Sequence, residues 1–163
     1  MLLYKIKYHF LCNIKKFFLR FNKRITIKKH ATWRRHFSVI VEKGGSVVIE
    51  KNCFFNNDCS IVSYGKIFIG EGSIFGENVK IYDCNHKFNK PNIPIKEQGF
   101  SIGKVTIGKH CWIGSNVTIL KGSVIGDNCV IGAGCVISGI VPSNTLVKIH
   151  EKSYQSEQIR VNG

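Results

Sequence analysis

One histidine of this 163-residue chain lies where its side chain could do acid–base chemistry. His86 belongs to the segment YDCNHKF, three residues after Asp83 and directly after Asn85. Histidine side chains titrate near neutral pH, so an imidazole can take the proton of a hydroxyl group as that hydroxyl attacks a carbonyl carbon. Asp83 or Asn85 could hold the imidazole in one tautomer or bind substrate hydroxyls. A turn-forming role is the alternative for both residues.

The remaining histidines are weaker candidates for chemistry. Each is expected to be an exposed surface residue: His9, His30, His36, His110 and His150. Among the six, only His86 lies at a break in a sequence repeat. The repeat must therefore supply the elements that position it.

The repeat has a period of six residues. Six isoleucines occur at this spacing without a miss: Ile107, Ile113, Ile119, Ile125, Ile131 and Ile137. An α-helix repeats its apolar positions about every 3.6 residues and a simple strand every 2, so neither element fits. A glycine follows four of the isoleucines, and glycine suits turns that need a positive φ. The pattern predicts short strands joined by tight turns.

A second small or apolar residue follows each of the first five isoleucines by four positions. These residues are Cys111, Val117, Ser123, Cys129 and Cys135. If three hexads form one coil, Ile107 stacks on Ile125 at a strand spacing of roughly 4.8 Å. The result is a triangular prism with an aliphatic interior. Its three cysteines are expected to be small core residues, with metal ligation as the alternative.

An earlier and less regular stretch carries the same pattern in another frame, with Ile69, Phe75 and Ile81 at hexad spacing. Four further hexads after Ile81 would lead to Val105 rather than to Ile107, so the frame changes between the two stretches. Residues 84–100 have no hexad rhythm and contain two prolines, which predicts a loop extruded from the prism. Long loops in regular solenoids are usually functional.

Two segments together resemble the hexapeptide-repeat acetyltransferases: the upstream YDCNHKF, and residues 107–137, IGKHCWIGSNVTILKGSVIGDNCVIGAGCVI. The resemblance covers about residues 45–147. The family includes galactoside and maltose acetyltransferases and O-acetyltransferases of bacterial surface polysaccharides. It implies an all-β fold, a left-handed parallel β-helix, which is an exception to the right-handed rule for parallel crossovers. It also implies a homotrimer with sites at the subunit interfaces and acetyl-CoA along the prism wall, without a metal.

The same resemblance assigns roles to single residues. His86 corresponds to the loop histidine that acts as general base. Five positions correspond to those that approach the coenzyme: Gly114, Ser115, Ala133, Ser138 and Gly139. The tail departs from the family pattern, because residues 148–153 read KIHEKS where GNPAK is common.

Trp112 and the oxyanion site complete the list of expected site features. Trp112 occupies an outward position, where a solvent-facing indole would leave a large apolar surface exposed. We expect it to pack against the coenzyme, the His86 loop or a neighbouring subunit. Asp83, Asn85 and Trp112 are the candidate substrate-binding residues. A backbone N–H at a coil corner is expected to bind the oxyanion.

The N-terminal stretch differs from the rest of the chain in charge. Residues 1–36 contain 11 of the 24 Lys and Arg and no Asp or Glu. Within residues 2–21 the apolar residues, many of them Phe, recur at helical spacing with lysines between them, which predicts a basic amphipathic helix. Residues 1–22 are expected either to contact an anionic membrane surface or to pack on the prism or the trimer. Nucleic acid is not expected as a partner.

Seven cysteines without a C-x-x-C pair indicate free thiols in a reducing cytoplasm. The apolar residues at the N-terminus are interrupted by lysines, so neither a signal peptide nor a membrane span is expected there. The chain would thus be cytoplasmic, with the inner face of the membrane as a possible site of action.

The prediction is an acetyl-CoA-dependent sugar O-acetyltransferase in the biosynthesis of surface polysaccharides. Its parts are a basic arm (1–36), a β-helix domain (37–147) with the loop 84–100, and a tail (148–163). A non-catalytic trimeric scaffold and an enzyme for a small acceptor such as serine are the alternatives. A zinc enzyme of the γ-carbonic anhydrase kind would need three histidines, two of them five residues apart. The residue five positions after His110 is Ser115, and no other pair of histidines has this spacing, so the sequence argues against such a zinc site.

Overall fold

The computed structural model of the chain describes residue 19 and residues 21–149. The amphipathic helix predicted within residues 2–21 lies almost entirely outside this part, as does the tail from His150 onward. The described chain is all β apart from helical residue 19 and one short 3₁₀ helix, Ile95–Glu97. None of its helices is long and apolar enough to cross a membrane.

Three sheets of parallel strands form the three faces of a triangular prism. Face 1 contains β1 (Ile25–Ile27), β4 (Ser46–Ile49), β7 (Lys66–Ile69), β12 (Lys104–Ile107), β15 (Val124–Ile125) and β18 (Ile140–Val141). Face 2 contains β2 (Thr32–Trp33), β5 (Phe54–Phe55), β8 (Ile74–Phe75), β13 (Trp112–Ile113), β16 (Val130–Ile131) and β19 (Leu146–Val147). Face 3 contains β3 (Ser38–Val41), β6 (Ser60–Ser63), β9 (Lys80–Tyr82), β14 (Thr118–Ile119) and β17 (Val136–Ile137).

The strand register confirms the coil predicted from the six-residue spacing. Ile107 pairs with Ile125 on face 1, Ile113 pairs with Ile131 on face 2, and Ile119 pairs with Ile137 on face 3. Each coil therefore uses one hexad per face. The architecture is a parallel β-solenoid of about six turns that matches the predicted left-handed β-helix.

The irregular spacing of the N-terminal coils results from insertions at one corner. The coil after Ile107 advances by three hexads, to Ile125, and the last coil, from Ile125 to Val141, is two residues shorter. The step from Ile49 to Ile69 is slightly longer than three hexads, and the step from Ile69 to Ile107 is slightly longer than six hexads. The extra residues of both longer steps lie between face 3 and face 1, so the extruded loop is inserted at a corner that is already enlarged one coil earlier. We call this corner the loop edge.

The prism interior is built from stacked columns of apolar residues. Ile107, Ile113 and Ile119 are fully buried. The N-terminal half contains aromatic rings instead: Phe37 lies 4.7 Å from Phe55, which lies 4.4 Å from Phe75, measured between ring centroids. Rings of this size fill the wider early coils, and such stacking adds to the stability gained from burial.

The cysteines of the repeat lie in this interior, as predicted. Cys111, Cys129 and Cys135 are buried. The thiols of Cys111 and Cys129 donate to the carbonyls of Gly126 and Pro142, each at 3.1 Å. Because each thiol hydrogen-bonds to backbone of the next turn, these residues act as small core side chains that also satisfy a buried carbonyl.

The glycines after the ladder isoleucines serve close packing rather than a positive φ, contrary to the expectation from sequence. A Cβ on Gly108 would lie 2.6 Å from the backbone nitrogen of Asp127, and one on Gly114 would lie 2.6 Å from that of Ala133. The left-handed conformation occurs two residues later, at His110 (φ 55°) and Asn116 (φ 58°). Glycine is needed where one coil touches the next.

The prism begins before residue 37, where the sequence placed the start of the β-helix domain. Strand β1 (Ile25–Ile27) pairs with β4, and β2 (Thr32–Trp33) pairs with β5. Trp33 is buried and its ring centroid lies 4.9 Å from that of Phe37. Residues 25–36 thus belong to the first coil, which β3 completes on face 3, and the basic side chains of this segment are carried on the prism itself.

Candidate active site

The predicted loop leaves the loop edge as a short antiparallel hairpin. Strand β10 (Cys84–His86) pairs with β11 (Phe100–Ile102), with Cys84 opposite Ile102 and His86 opposite Phe100. At the tip, the Gln98 side chain donates to the carbonyl of Ile93 at 2.7 Å. The hairpin base and these tip contacts hold the segment in one arrangement, so His86 stands on an ordered element.

The ring of His86 lies in an aromatic cluster at the base of the hairpin. Its centroid is 4.4 Å from that of Phe100, and the Phe100 ring is in turn 4.4 Å from that of Tyr64. His86 is exposed, and within residues 21–149 neither of its ring nitrogens makes a hydrogen bond. The cluster therefore orients the imidazole through ring packing and leaves both nitrogens open to a substrate.

Asp83 holds the root of the hairpin. Its side chain is not among those that line the open pocket beside His86, which is described below. Its side chain is fully buried and accepts three hydrogen bonds, from the Ser63 hydroxyl at 2.7 Å and from the N–H groups of Tyr64 and Gly65 at 2.7 and 2.9 Å. Its carbonyl accepts from the N–H of Gly103 at 2.8 Å. The carboxylate is saturated by the chain itself, which favours the turn-forming alternative and makes Asp83 a positioning residue.

An open pocket of about 570 Å³ lies beside the hairpin. Its lining residues are Asn85, His86, Lys87, Phe88, Asn89, Ser101 and Lys121. The Nζ atom of Lys121 donates to the Ser101 hydroxyl at 2.5 Å. The structure thus brings His86 and Asn85 together with a lysine from the next coil, which the sequence pattern did not single out.

The thiol next to His86 is a poor nucleophile. Burial raises the pKa of Cys84, and the Asp83 carboxylate adds to this shift, whereas the Lys121 ammonium opposes it. A raised pKa keeps the group as a thiol at neutral pH, and thiols react far more slowly than thiolates. We therefore expect no covalent chemistry at Cys84.

The residues predicted to approach the coenzyme fall on two different edges of one prism. Gly114, Ser115 and Ala133 lie together at the corner between faces 2 and 3, where the Ser115 carbonyl accepts the N–H of Gly134 at 2.8 Å. We call this corner the Ser115 edge. Ser138 and Gly139 lie at the loop edge above Lys121. One face separates the two edges, at most about 20 Å of extended chain.

Trp112 faces outward on β13, as predicted from its position in the hexad. Its side chain is 55% exposed. Strand pairing places it between Ile74 of β8 and Val130 of β16. These neighbours continue an apolar row on the outside of face 2, so the indole belongs to a surface that a ligand or another subunit could cover.

The described residues contain no group of three His, Cys, Asp or Glu side chains close enough to hold a metal ion. His110 is exposed at a corner two coils from the C-terminal end of the described chain. His30 and His36 lie exposed on the first coil, where the Nδ1 atom of His36 is 2.8 Å from the Asp58 carboxylate. These three histidines occupy the surface positions expected of them.

The model of the bacterial transferase hexapeptide family (six repeats) matches residues 104–139. The chain is 33% identical over 110 residues to the putative lipopolysaccharide biosynthesis O-acetyl transferase WbbJ of Escherichia coli K12, covering 63% of this chain and 56% of that protein. It is 32% identical over 104 residues to the galactoside O-acetyltransferase of the same organism, covering 63% and 50%. The chain thus spans about half the length of these relatives.

Solved structures show the same fold. The hexapeptide-repeat-containing acetyltransferase VCA0836 from Vibrio cholerae, complexed with acetyl coenzyme A, superposes with a TM-score of 0.65 at 24% identity, covering 76% of this chain and 66% of that one. This likeness confirms the prism architecture, and the sequence matches to the hexapeptide repeat and to the two O-acetyltransferases confirm the expected resemblance.

Proposed function

We propose that this chain, which carries the bacterial transferase hexapeptide repeat, transfers an acetyl group from acetyl-CoA to a sugar hydroxyl in surface polysaccharide biosynthesis. One observation carries the proposal: an exposed histidine with two open ring nitrogens stands beside a pocket, on an ordered hairpin that leaves a hexapeptide prism. Similar relatives with this repeat are named as O-acetyltransferases, of lipopolysaccharide biosynthesis and of galactosides.

The proposed chemistry needs one base and one oxyanion site. His86 accepts the hydroxyl proton as the sugar oxygen attacks the thioester carbonyl carbon, and a coil-corner N–H stabilises the resulting oxyanion. Collapse of this tetrahedral species breaks the C–S bond, and the protonated imidazole returns the proton to the departing thiolate of coenzyme A. Asn85, which lines the same pocket, is placed to bind the acceptor.

A homotrimer would complete the site. The hairpin stands on the loop edge, whereas Gly114, Ser115 and Ala133 lie on the Ser115 edge, so a single prism separates the base from part of the proposed coenzyme site. Packing of the loop edge of one subunit against the Ser115 edge of another would join them. The exposed apolar row that contains Trp112 offers a surface for such packing or for the coenzyme.

The function is tested first by coenzyme binding to the full chain. At about 100 times its Kd, acetyl-CoA would stabilise the folded protein by about 2.7 kcal/mol, which raises the Tm of a protein of this size by roughly 5–10 °C. Differential scanning fluorimetry measures the shift. Thiol release would then be followed with neutral sugars, nucleotide-linked sugars and serine as acceptors. A Tm that does not change with acetyl-CoA would favour the scaffold alternative.

We also propose that the chain works at the cytoplasmic face of a membrane, through residues 1–22 and the first coil. Residues 23–36 carry six exposed cations and no acidic residue: Lys23, Arg24, Lys28, Lys29, Arg34 and Arg35. Each basic residue near an anionic bilayer contributes about 1 kcal/mol to binding. This surface would bring the hairpin close to lipid-linked acceptors.

Vesicle co-sedimentation is expected to show this contact. The full chain should pellet with vesicles of phosphatidylglycerol and phosphatidylcholine, and a chain that lacks residues 1–22 should pellet several-fold less. Vesicles of phosphatidylcholine alone serve as the control, because they lack the negative charge that attracts lysine and arginine. Equal pelleting of both chains with the charged vesicles would exclude residues 1–22 as the membrane contact.

A further inference from the structure

The pocket beside His86 is lined by cations without an opposing carboxylate. Lys87 and Lys121 both line it, together with the imidazole of His86. The acidic side chain nearest to His86 in sequence is Asp83, which is buried and already accepts three hydrogen bonds from the chain itself. In residues 21–149 neither lysine forms an ion pair. The local field in the pocket is therefore positive.

Lys121 is held in place, which distinguishes it from an ordinary surface lysine. Its aliphatic stem crosses Gly103, where an added Cβ would lie 2.6 Å from the Lys121 Cγ atom. Its ammonium donates to Ser101, which is opposite Asn85 in the hairpin ladder. The side chain is half-buried and tied to the element that carries His86. A fixed ammonium loses less conformational entropy on binding an anion than a free one.

A second pair of lysines lies at the root of the same hairpin. Lys66 of β7 and Lys104 of β12 are direct neighbours in the ladder of face 1. Both are exposed, and like charges directly opposite each other on a sheet destabilise it. Lys104 directly follows Gly103, on which the Lys121 stem lies, so the pair extends the positive surface that begins in the pocket. An anion bound nearby would offset the repulsion between these two ammonium groups.

We propose that this pocket selects acceptors that carry a negative charge close to the acetylated hydroxyl, with Lys121 as the main specificity-determining contact. The inference rests on the proposed function, because it names the acceptor class for that reaction. The charge could be a phosphate, as in a glycosyl phosphate or diphosphate, or the carboxylate of a sugar acid. Lysine recognises both as a point charge, without the paired geometry that arginine requires.

Direct binding tests the acceptor class without depending on turnover. Isothermal titration of the full chain is carried out with one neutral sugar, glucose, and two anionic relatives of it: glucose 1-phosphate, which carries a phosphate on C1, and glucuronic acid, which carries a carboxylate at C6. We expect at least one charged sugar to bind 10-fold or more tightly than glucose, and its advantage to shrink as salt is added. The tighter of the two charged sugars identifies phosphate or carboxylate as the preferred group. Equal binding of all three would overturn the proposal.

Lys121→Met tests the residue while keeping the apolar stem over Gly103. We expect the variant to lose the advantage of the charged sugar and to bind glucose as before. Lys43→Met is the matched control, because Lys43 is another lysine of the loop edge but is exposed and lies near the N-terminal end of the prism. Undiminished binding of the charged sugar by Lys121→Met would overturn the role of this lysine.

The coenzyme also carries phosphates, so the same variant is titrated with coenzyme A. An unchanged Kd for coenzyme A, together with weaker binding of the charged sugar, supports an acceptor site. Weaker binding of coenzyme A alone would assign Lys121 to the donor and overturn the proposal. Failure of acetyl transfer to every sugar, with charge-selective binding intact, would count against the proposed reaction and leave the anion site standing.

Discussion

Replacing His86 with asparagine is expected to lower kcat for acetyl transfer by a factor of about 10² to 10⁴, the usual contribution of a positioned general base. The acceptor hydroxyl would still be bound but would have to attack without losing its proton to the protein. The KM values for acetyl-CoA and for the sugar should change little, because the imidazole makes no hydrogen bond to any other described residue. The measurement is release of coenzyme A thiol under saturating substrates.

The matched control for this variant is His110→Asn. His110 is exposed on the corner between faces 1 and 2, and its φ of 55° lies in the left-handed region that asparagine tolerates. This control should keep the wild-type rate. The oligomeric state and the stabilisation by acetyl-CoA should be the same in His86→Asn, His110→Asn and the wild type. Turnover by His86→Asn at the wild-type rate would remove His86 from the mechanism.

The fold could be predicted from the sequence because the six-residue spacing of the isoleucines is unbroken from Ile107 to Ile137. The column Ile107, Ile125 could be drawn from spacing alone, and the structure pairs these residues. In the first coils the corner insertions and the aromatic interior hide the period. Trp33 and Phe55 pair in the structure although their separation is not a whole number of hexads. The prism therefore extends further towards the N-terminus than the hexad count indicated.

The site was predictable only in part, for a similar physical reason. His86 and Asn85 share a segment, so sequence proximity placed them together correctly. Lys121 and Tyr64 come to the hairpin through coils that are distant in sequence, and no local pattern marks them. Because insertions at successive coils share the loop edge, the register of the prism, rather than any motif, brings these side chains to His86.

Asp83 shows why residue type alone could not decide between two roles. A carboxylate three residues before a histidine could orient the imidazole or bind substrate, or it could form the turn. The strand β9 instead directs this side chain inward, where the N–H groups of the Tyr64–Gly65 insertion meet it. A buried carboxylate is stable only when hydrogen-bonded in this way. The insertion one coil earlier thus supplies the donors that fix the root of the hairpin.

Replacing Asp83 with alanine is accordingly expected to lower the free energy of unfolding by about 3–5 kcal/mol. Three donors lose this acceptor at once: the part-buried N–H groups of Tyr64 and Gly65, and the buried Ser63 hydroxyl, which keeps the Ser46 carbonyl in reach at 3.1 Å. Each group left unsatisfied costs about 1–3 kcal/mol before water relaxes the site. The hairpin root should loosen, so kcat should fall even though Asp83 does not line the pocket. Urea unfolding and thiol release measure the two effects.

Asp127→Ala is the matched control for this variant, because Asp127 is an exposed carboxylate that accepts only one backbone N–H, that of Lys109 at 2.7 Å. It should cost about 1 kcal/mol. Ser63→Ala is a milder probe, because it removes one donor and leaves the Asp83 carboxylate with the two backbone N–H groups. This variant should stay folded, and its free energy of unfolding should fall by about 1 kcal/mol. If Asp83→Ala and Asp127→Ala destabilise the prism equally, the buried carboxylate does not anchor the hairpin, and its hydrogen bonds only satisfy a group that folding has buried.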